Sequence, residues 1–122
     1  MDYTRMAVDY LNGLNLGATA YRDVPSKRPT DENPSRPFMV VELTGGAAAS
    51  LVQRSPSIDV DCWASRQHDA EILAFEVVNA LLVMPDALPN VFGVSVSTVY
   101  NNPDPDSGTP RYTVGCDLET NE

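Results

Sequence analysis

The chain predicts an α+β fold, a mixed or antiparallel sheet of about five strands with two helices packed on one face. Three observations carry this. Residues 58–64 alternate strictly, with Ile58, Val60, Cys62 and Ala64 on one side and Asp59, Asp61 and Trp63 on the other, the period of a strand with one buried face. Residues 65–83 follow at once with an apolar helical stripe. Residues 111–118 alternate again, with Tyr112, Val114, Cys116 and Leu118 inward. Strands and helices mixed in this order build a sheet with helices layered on it.

In chain order, residues 2–14 read as an amphipathic helix. Met6, Tyr10 and Leu14 recur at steps of four, with Tyr3 and Leu11 beside them, and Gly13 and Gly17 bracket its end. Residues 18–24 read as a strand. Residues 25–37 hold Pro25, Pro29, Pro34 and Pro37 and form a loop. Residues 38–43 are an apolar strand that Gly45-Gly46 ends, and residues 47–57 read as a second flexible connection. Ser65 is the expected N-cap of the central helix, with Asp69 and Glu71 in its early turns. Ala70, Leu73, Ala74, Val77, Val78 and Leu81 form its buried stripe, Ile72, Phe75 and Leu82 widen it, and Pro85 stops it. In residues 91–100, Val94, Val96, Thr98 and Tyr100 share one side and Gly93, Ser95, Ser97 and Val99 the other. A turn-rich loop then leads into the last strand, and residues 119–122 fray.

At 122 residues the chain fits one domain, large enough to bury a core without metals or disulfides. Its net charge is −9 and Lys27 is its one lysine, which argues against binding nucleic acid through phosphates. Lys27, Arg28 and Arg36 make a mixed patch with Arg22, offset by Asp23, Asp31 and Glu32. No apolar run is long enough for a membrane span, and the start of the chain lacks the pattern of a signal peptide. The expectation is a protein folding in the cytoplasm. Cys62 and Cys116 both sit on apolar strand sides. Two readings stay open: a disulfide if their strands are neighbours, or buried thiols, which a cytoplasmic setting favours.

Candidate chemistry is sparse. Asp59 and Asp61 could in principle bind a divalent cation or act as acid and base, but no third ligand is near and alternating acids suit a solvent-facing strand. His68, the one histidine, has no nucleophile at a persuasive spacing. Gly45-Gly46 lacks the Lys-Ser/Thr of a phosphate loop. Residues 104–108 lack the ligand count and closing glutamate of a calcium loop. No catalytic, cofactor-binding or metal-binding residue is assigned. Trp63 stands among carboxylates, either tucked under a neighbouring element or anchoring a subunit contact. The loops at 25–37 and 47–57 are the better functional candidates.

Several of these segments occur together in one known family. They are the apolar strand with Gly45-Gly46, Arg54 ahead of Ile58-Asp59-Val60-Asp61-Cys62-Trp63-Ala64, and the Ala-rich helix. Val94-Ser95-Val96, Pro103-Asp104-Pro105-Asp106 and Arg111-Tyr112-Thr113-Val114 follow. In composition and order, residues 38–118 resemble the tail terminator, or tail-completion, proteins of long-tailed bacteriophages. The resemblance implies a structural virion protein without catalytic residues or cofactors. Such a protein assembles in the bacterial host cytoplasm into a homo-hexameric ring at the tail neck. The ring caps the head-proximal end of the tail tube and joins it to a head-completion or connector protein. DNA passes through the lumen without specific binding, and no membrane is involved. Lys27, Arg28, Arg36, Arg54 and Trp63 are the candidate subunit or partner contacts. The alternatives are another neck component, such as a head-closure protein, or a small-molecule-binding domain built on Asp59, Asp61 and Trp63.

Overall fold

The computed structural model describes residues 1–26, 37–48 and 53–121. The elements run α1 (Tyr3–Gly13), β1 (Thr19–Tyr21), β2 (Phe38–Ala48), β3 (Gln53–Trp63), α2 (Gln67–Leu82), α3 (Met84–Ala87), β4 (Val91–Asn101) and β5 (Arg111–Asn121). The strands form one mixed sheet in the order β1-β2-β3-β5-β4. β1 lies parallel to β2 and every other pairing is antiparallel. The fold is α+β, as the alternation predicts.

α1 and α2 share one face of the sheet. Ala7, Tyr10 and Leu11 of α1 and Ala70, Leu73, Ala74, Val77 and Leu81 of α2 enter the same core as Met39, Val41, Ile58, Val60, Val114 and Leu118. Asp2 begins α1 by accepting the Arg5 N–H at 3.0 Å, and its other carboxylate oxygen meets Arg22 at 2.9 Å. The backbone bond from Arg5, with Arg22 adding to it, holds the Asp2 carboxyl below its ordinary range. The Tyr10 hydroxyl donates to the Ala80 carbonyl at 2.6 Å in the interior, tying α1 to the end of α2. Asn15 and Gly17 take left-handed backbone angles, φ 60° and 81°, and turn the chain from α1 into β1.

Several local expectations are corrected. β2 does not stop at Gly45-Gly46. It passes through them with a register shift between Leu43 and Gly45, and Ala47 and Ala48 still pair with Ser55 and Arg54. The described parts of 47–57 are therefore arms of a long hairpin and not a loose connection. Gly46 permits this. At φ +156°, a Cβ there would lie 3.0 Å from the backbone Cα of Pro56. Gly46→Ala is expected to destabilise the fold by about 1–3 kcal/mol, measured by urea unfolding.

The cap of α2 is Arg66, with extended backbone and no side-chain cap bond. Ser65 lies one residue too early, because the chain stays extended beyond it. Pro85 does not simply stop the helix; it sits in the first turn of the short α3, where its missing N–H costs nothing. In β4 a second register shift, between Val96 and Thr98, breaks the expected alternation. An extra residue turns the following side chains over, so Val99 packs on the core while Thr98 and Tyr100 are exposed.

β3 and β5 are neighbours, as a disulfide would require, but Cys116 lies opposite Ile58 and Cys62 opposite Tyr112. Both cysteines are buried thiols. Burial raises both, Cys116 to about 12 and Cys62 further still, so neither is a ready nucleophile.

Candidate functional site

The helices cover one face of the sheet and leave the other to small and acidic side chains. Glu42 of β2, Asp59 and Asp61 of β3 and Asp117 of β5 stand on this outer face. Two of these carboxylates are already engaged. Asp61 accepts the Thr113 hydroxyl at 2.7 Å, and Asp117 accepts the Ser57 hydroxyl across the β3–β5 ladder. Desolvation raises the Asp59 carboxyl above its ordinary range, and Asp61 and then Glu42 push it the same way. Among the described residues no group of three His, Cys, Asp or Glu is placed to hold a metal ion.

A group whose pKa is higher folded than unfolded lends its stability at low pH and loses it as pH rises through the folded value. Asp59 is of this kind. Asp59→Asn is therefore expected to match the parent at about pH 3 and to melt at higher temperature than it at about pH 7. Thermal unfolding followed at both values checks the sign.

At one end of this face the acids give way to a small apolar cluster of Phe38, Val40 and Trp63. Trp63 is 1 % exposed. Its ring stacks on Phe38 at 5.3 Å between centroids and 19° between planes. The Arg111 guanidinium lies over it at 5.0 Å, fixed in turn by a bond from its Nε to the Asn102 carbonyl at 2.7 Å. Tyr21 meets Phe38 edge-on at 6.1 Å. Of the two expectations for Trp63, the tucked ring is the one observed within this chain. Arg111 is the partner that sequence reasoning missed; its direct pairing with Trp63 across β3 and β5 follows once the two alternating strands are laid side by side.

Arg54, half-buried in the hairpin arm, donates to the Gln53 carbonyl at 3.0 Å, and its own carbonyl accepts from Thr120. Lys27, Arg28 and Arg36 lie outside the described residues, as do residues 27–36 of the first candidate loop and 49–52 of the second. His68 is exposed at the start of α2. The 104–108 turn is held internally: Asp104 accepts the Ser107 hydroxyl, and its carbonyl accepts the Gly108 N–H at 2.8 Å. An open depression of about 490 Å³ is lined by Gly46, Ser57, Gly93, Ser95, Asp117 and Glu119 among others. Asp59, Asp61 and Trp63 take no part in lining it.

The most distinctive surface is on α2. Ile72, Phe75 and Leu82 were expected to widen the buried stripe, yet they are 45 %, 54 % and 51 % exposed. At about 3.6 residues per turn they fall on the side opposite Ala74, Val77 and Leu81. Val83, also exposed, extends the same stripe. The helix is thus apolar on two opposite sides, and the sheet fills only one.

A scan against protein-family models finds no match to this chain, and a comparison with curated protein sequences finds none either. Among the described residues no helix is long and apolar enough to cross a membrane.

Proposed function

We propose that this chain is a structural assembly protein of a long-tailed phage or prophage. In this reading it is a tail terminator that works as a ring at the neck of the particle. The observation that carries the reading is the second apolar stripe of α2. Ile72, Phe75, Leu82 and Val83 need a protein partner to leave water, and exposed apolar side chains gathered on one helix side, here with Glu76 and Asn79 among them, suit an interaction site. The resemblance of residues 38–118 to tail-completion proteins supplies the kind of assembly.

The mechanism is capping. A tail tube grows because each ring presents a surface complementary to the next. A terminator matches the tube on one side and presents a different surface to the head connector on the other, so growth stops. The outer sheet face suits the lumen of such a ring. Its carboxylates repel phosphate, and DNA can pass without being held. Location in the virion neck and contacts with the tube and connector proteins belong to this same proposal.

Deletion of the gene from its parent phage or prophage, followed by electron microscopy of lysates, tests the reading. Overlength or unattached tails beside DNA-filled heads are expected. Tails of normal length with leaking heads would assign the chain to the head side of the neck instead. Intact infectious particles would remove the structural role altogether.

A further inference from the structure

We propose that the sheet runs on from one copy of this chain into the next, with β4 of one copy adding as a strand beside residues 41–48 of β2 in its neighbour. The contact rests on the assembly reading for the number of copies that join, while the pairing itself follows from the sheet's own edges.

The strand order leaves β1 at one side of the sheet and β4 at the other. The β1 side is closed where β1 lies. That strand is three residues long, and its outward backbone groups at Ala20 are taken by a side chain. The Ala20 N–H donates to Asn12 Oδ1 at 2.8 Å and the Ala20 carbonyl accepts from Asn12 Nδ2 at 3.1 Å. β1 pairs only with Phe38, Met39 and Val40, however. From Val41 onward no described strand lies on that side of β2.

β4 is eleven residues long, and β5 is its one strand neighbour among the described residues. An edge of that length is ordinarily guarded by lysine, proline or inward charge, because its unpaired N–H and C=O groups recruit other strands. β4 has no lysine, proline or inward charge; its guards are two bulges, between Val91 and Gly93 and between Val96 and Thr98, and residues 93–96 and 98–101 are the regular runs that pair. Residues 87–103 contain no charged side chain, in a chain whose net charge is −9. Two copies of so acidic a chain repel, and this is a surface they can bring together without opposing carboxylates. Across the contact, residues 41–48 carry a single acid, Glu42.

Strand direction fits as well. β2, β3, β5 and β4 alternate in sense across the sheet. A neighbour placed head to tail in the same orientation sets its β2 antiparallel to this β4, the pairing already used at every step from β2 to β4. Each copy gives one edge and receives another, so the contact is heterologous and can repeat until a ring closes. A two-fold β4-to-β4 contact would also be antiparallel, but it would leave residues 41–48 uncovered.

Hydrogen exchange of the full chain at low and at high protein concentration tests this, alongside sedimentation. Amides in both 91–101 and 41–48 are expected to slow together on assembly, by about tenfold or more. Ser95→Lys puts a lysine on the β4 edge opposite Asp117 of its own strand pair, so the fold is kept. Leu43→Lys does the same for the exposed edge of β2. Each variant alone is expected to stay monomeric with unchanged melting behaviour, and an equal mixture of the two to stop at dimers, since one sound edge of each kind remains. Slowing confined to 91–101 would overturn the proposal in favour of a two-fold contact. Oligomers with neither edge slowed would overturn it while leaving the assembly reading intact, with α2 as the joining surface. A chain that stays monomeric at millimolar concentration overturns the self-pairing, whereas the particle phenotype of the gene deletion judges the assembly reading separately.

Discussion

Trp63→Ala is expected to remove about 3–5 kcal/mol of folding stability. Domains of this size have about 5–15 kcal/mol in all, so the variant should unfold at a markedly lower urea concentration than the parent. Three contributions are lost together. The ring is 1 % exposed, so its deletion leaves a cavity under the outer sheet face. The stack on Phe38 at 5.3 Å adds about 0.5–1.5 kcal/mol beyond buried area. The Arg111 guanidinium, 5.0 Å away, loses the aromatic face that offsets its own desolvation. Trp63→Phe keeps an aromatic surface and is expected to cost about half as much or less. Urea unfolding of the two variants beside the parent measures both. An alanine variant within about 1 kcal/mol of the parent would show that the cluster does not hold this end of the sheet.

The second large effect concerns assembly and not stability. Ile72→Asp with Phe75→Asp places two carboxylates in the outer stripe of α2. Both native side chains are about half exposed, so the monomer should keep its melting temperature within a few degrees. In the proposed particle, where a partner protein covers the stripe, the same carboxylates would be buried without partners, at several kcal/mol each. Sedimentation of the chain alone should be unchanged, because its copies are proposed to join at the edges of β2 and β4. Complementation of a gene deletion by the variant should fall by several orders of magnitude. Full complementation by a stably folded double variant would mean that the stripe faces water in the particle, and the function proposed from it would lose its main support.

What could be read from the residues, and what could not, follows from which signals are local. The alternation of Ile58, Val60 and Cys62 places one face in the core whatever lies beside it, and the α+β layering follows from two such strands and the helical stripe between them. The faults came where one residue changes the count. Gly45-Gly46 resembles a stop, yet the pair carries the strand on through a bulge because the approach of Pro56 leaves no room for a Cβ at residue 46. The shift after Val96 reverses the roles of Thr98 and Val99, and nothing in Val96-Ser97-Thr98-Val99 announces it. The outer stripe of α2 was legible in a different sense. Ile72, Phe75 and Leu82 already lay opposite Ala74, Val77 and Leu81 by helical geometry, but apolar residues on a helix are read as core by default. Of the candidate contacts, Trp63 is buried within this chain, Arg54 lies in a hairpin arm, and Lys27, Arg28 and Arg36 lie outside the described residues. The edges of β2 and β4 depend on which strands end up side by side, and strand order is not written in any one segment.

The position of β5 has a consequence for how the chain reaches this state. The strand that follows all the others in sequence is not at the margin of the sheet but between β3 and β4. Until residues 111–121 are in place, the Ile58–Cys62 stretch has one bare side, β4 has no strand to lie on, and the inner side of α2 covers only part of its floor. Joining β3 to β4 therefore waits for non-local pairings, from Trp63 with Arg111 to Gln53 with Asn121, which is a slow route and one that leaves sticky intermediates exposed meanwhile. A stop codon anywhere ahead of Arg111 would take out the keystone and not an ornament.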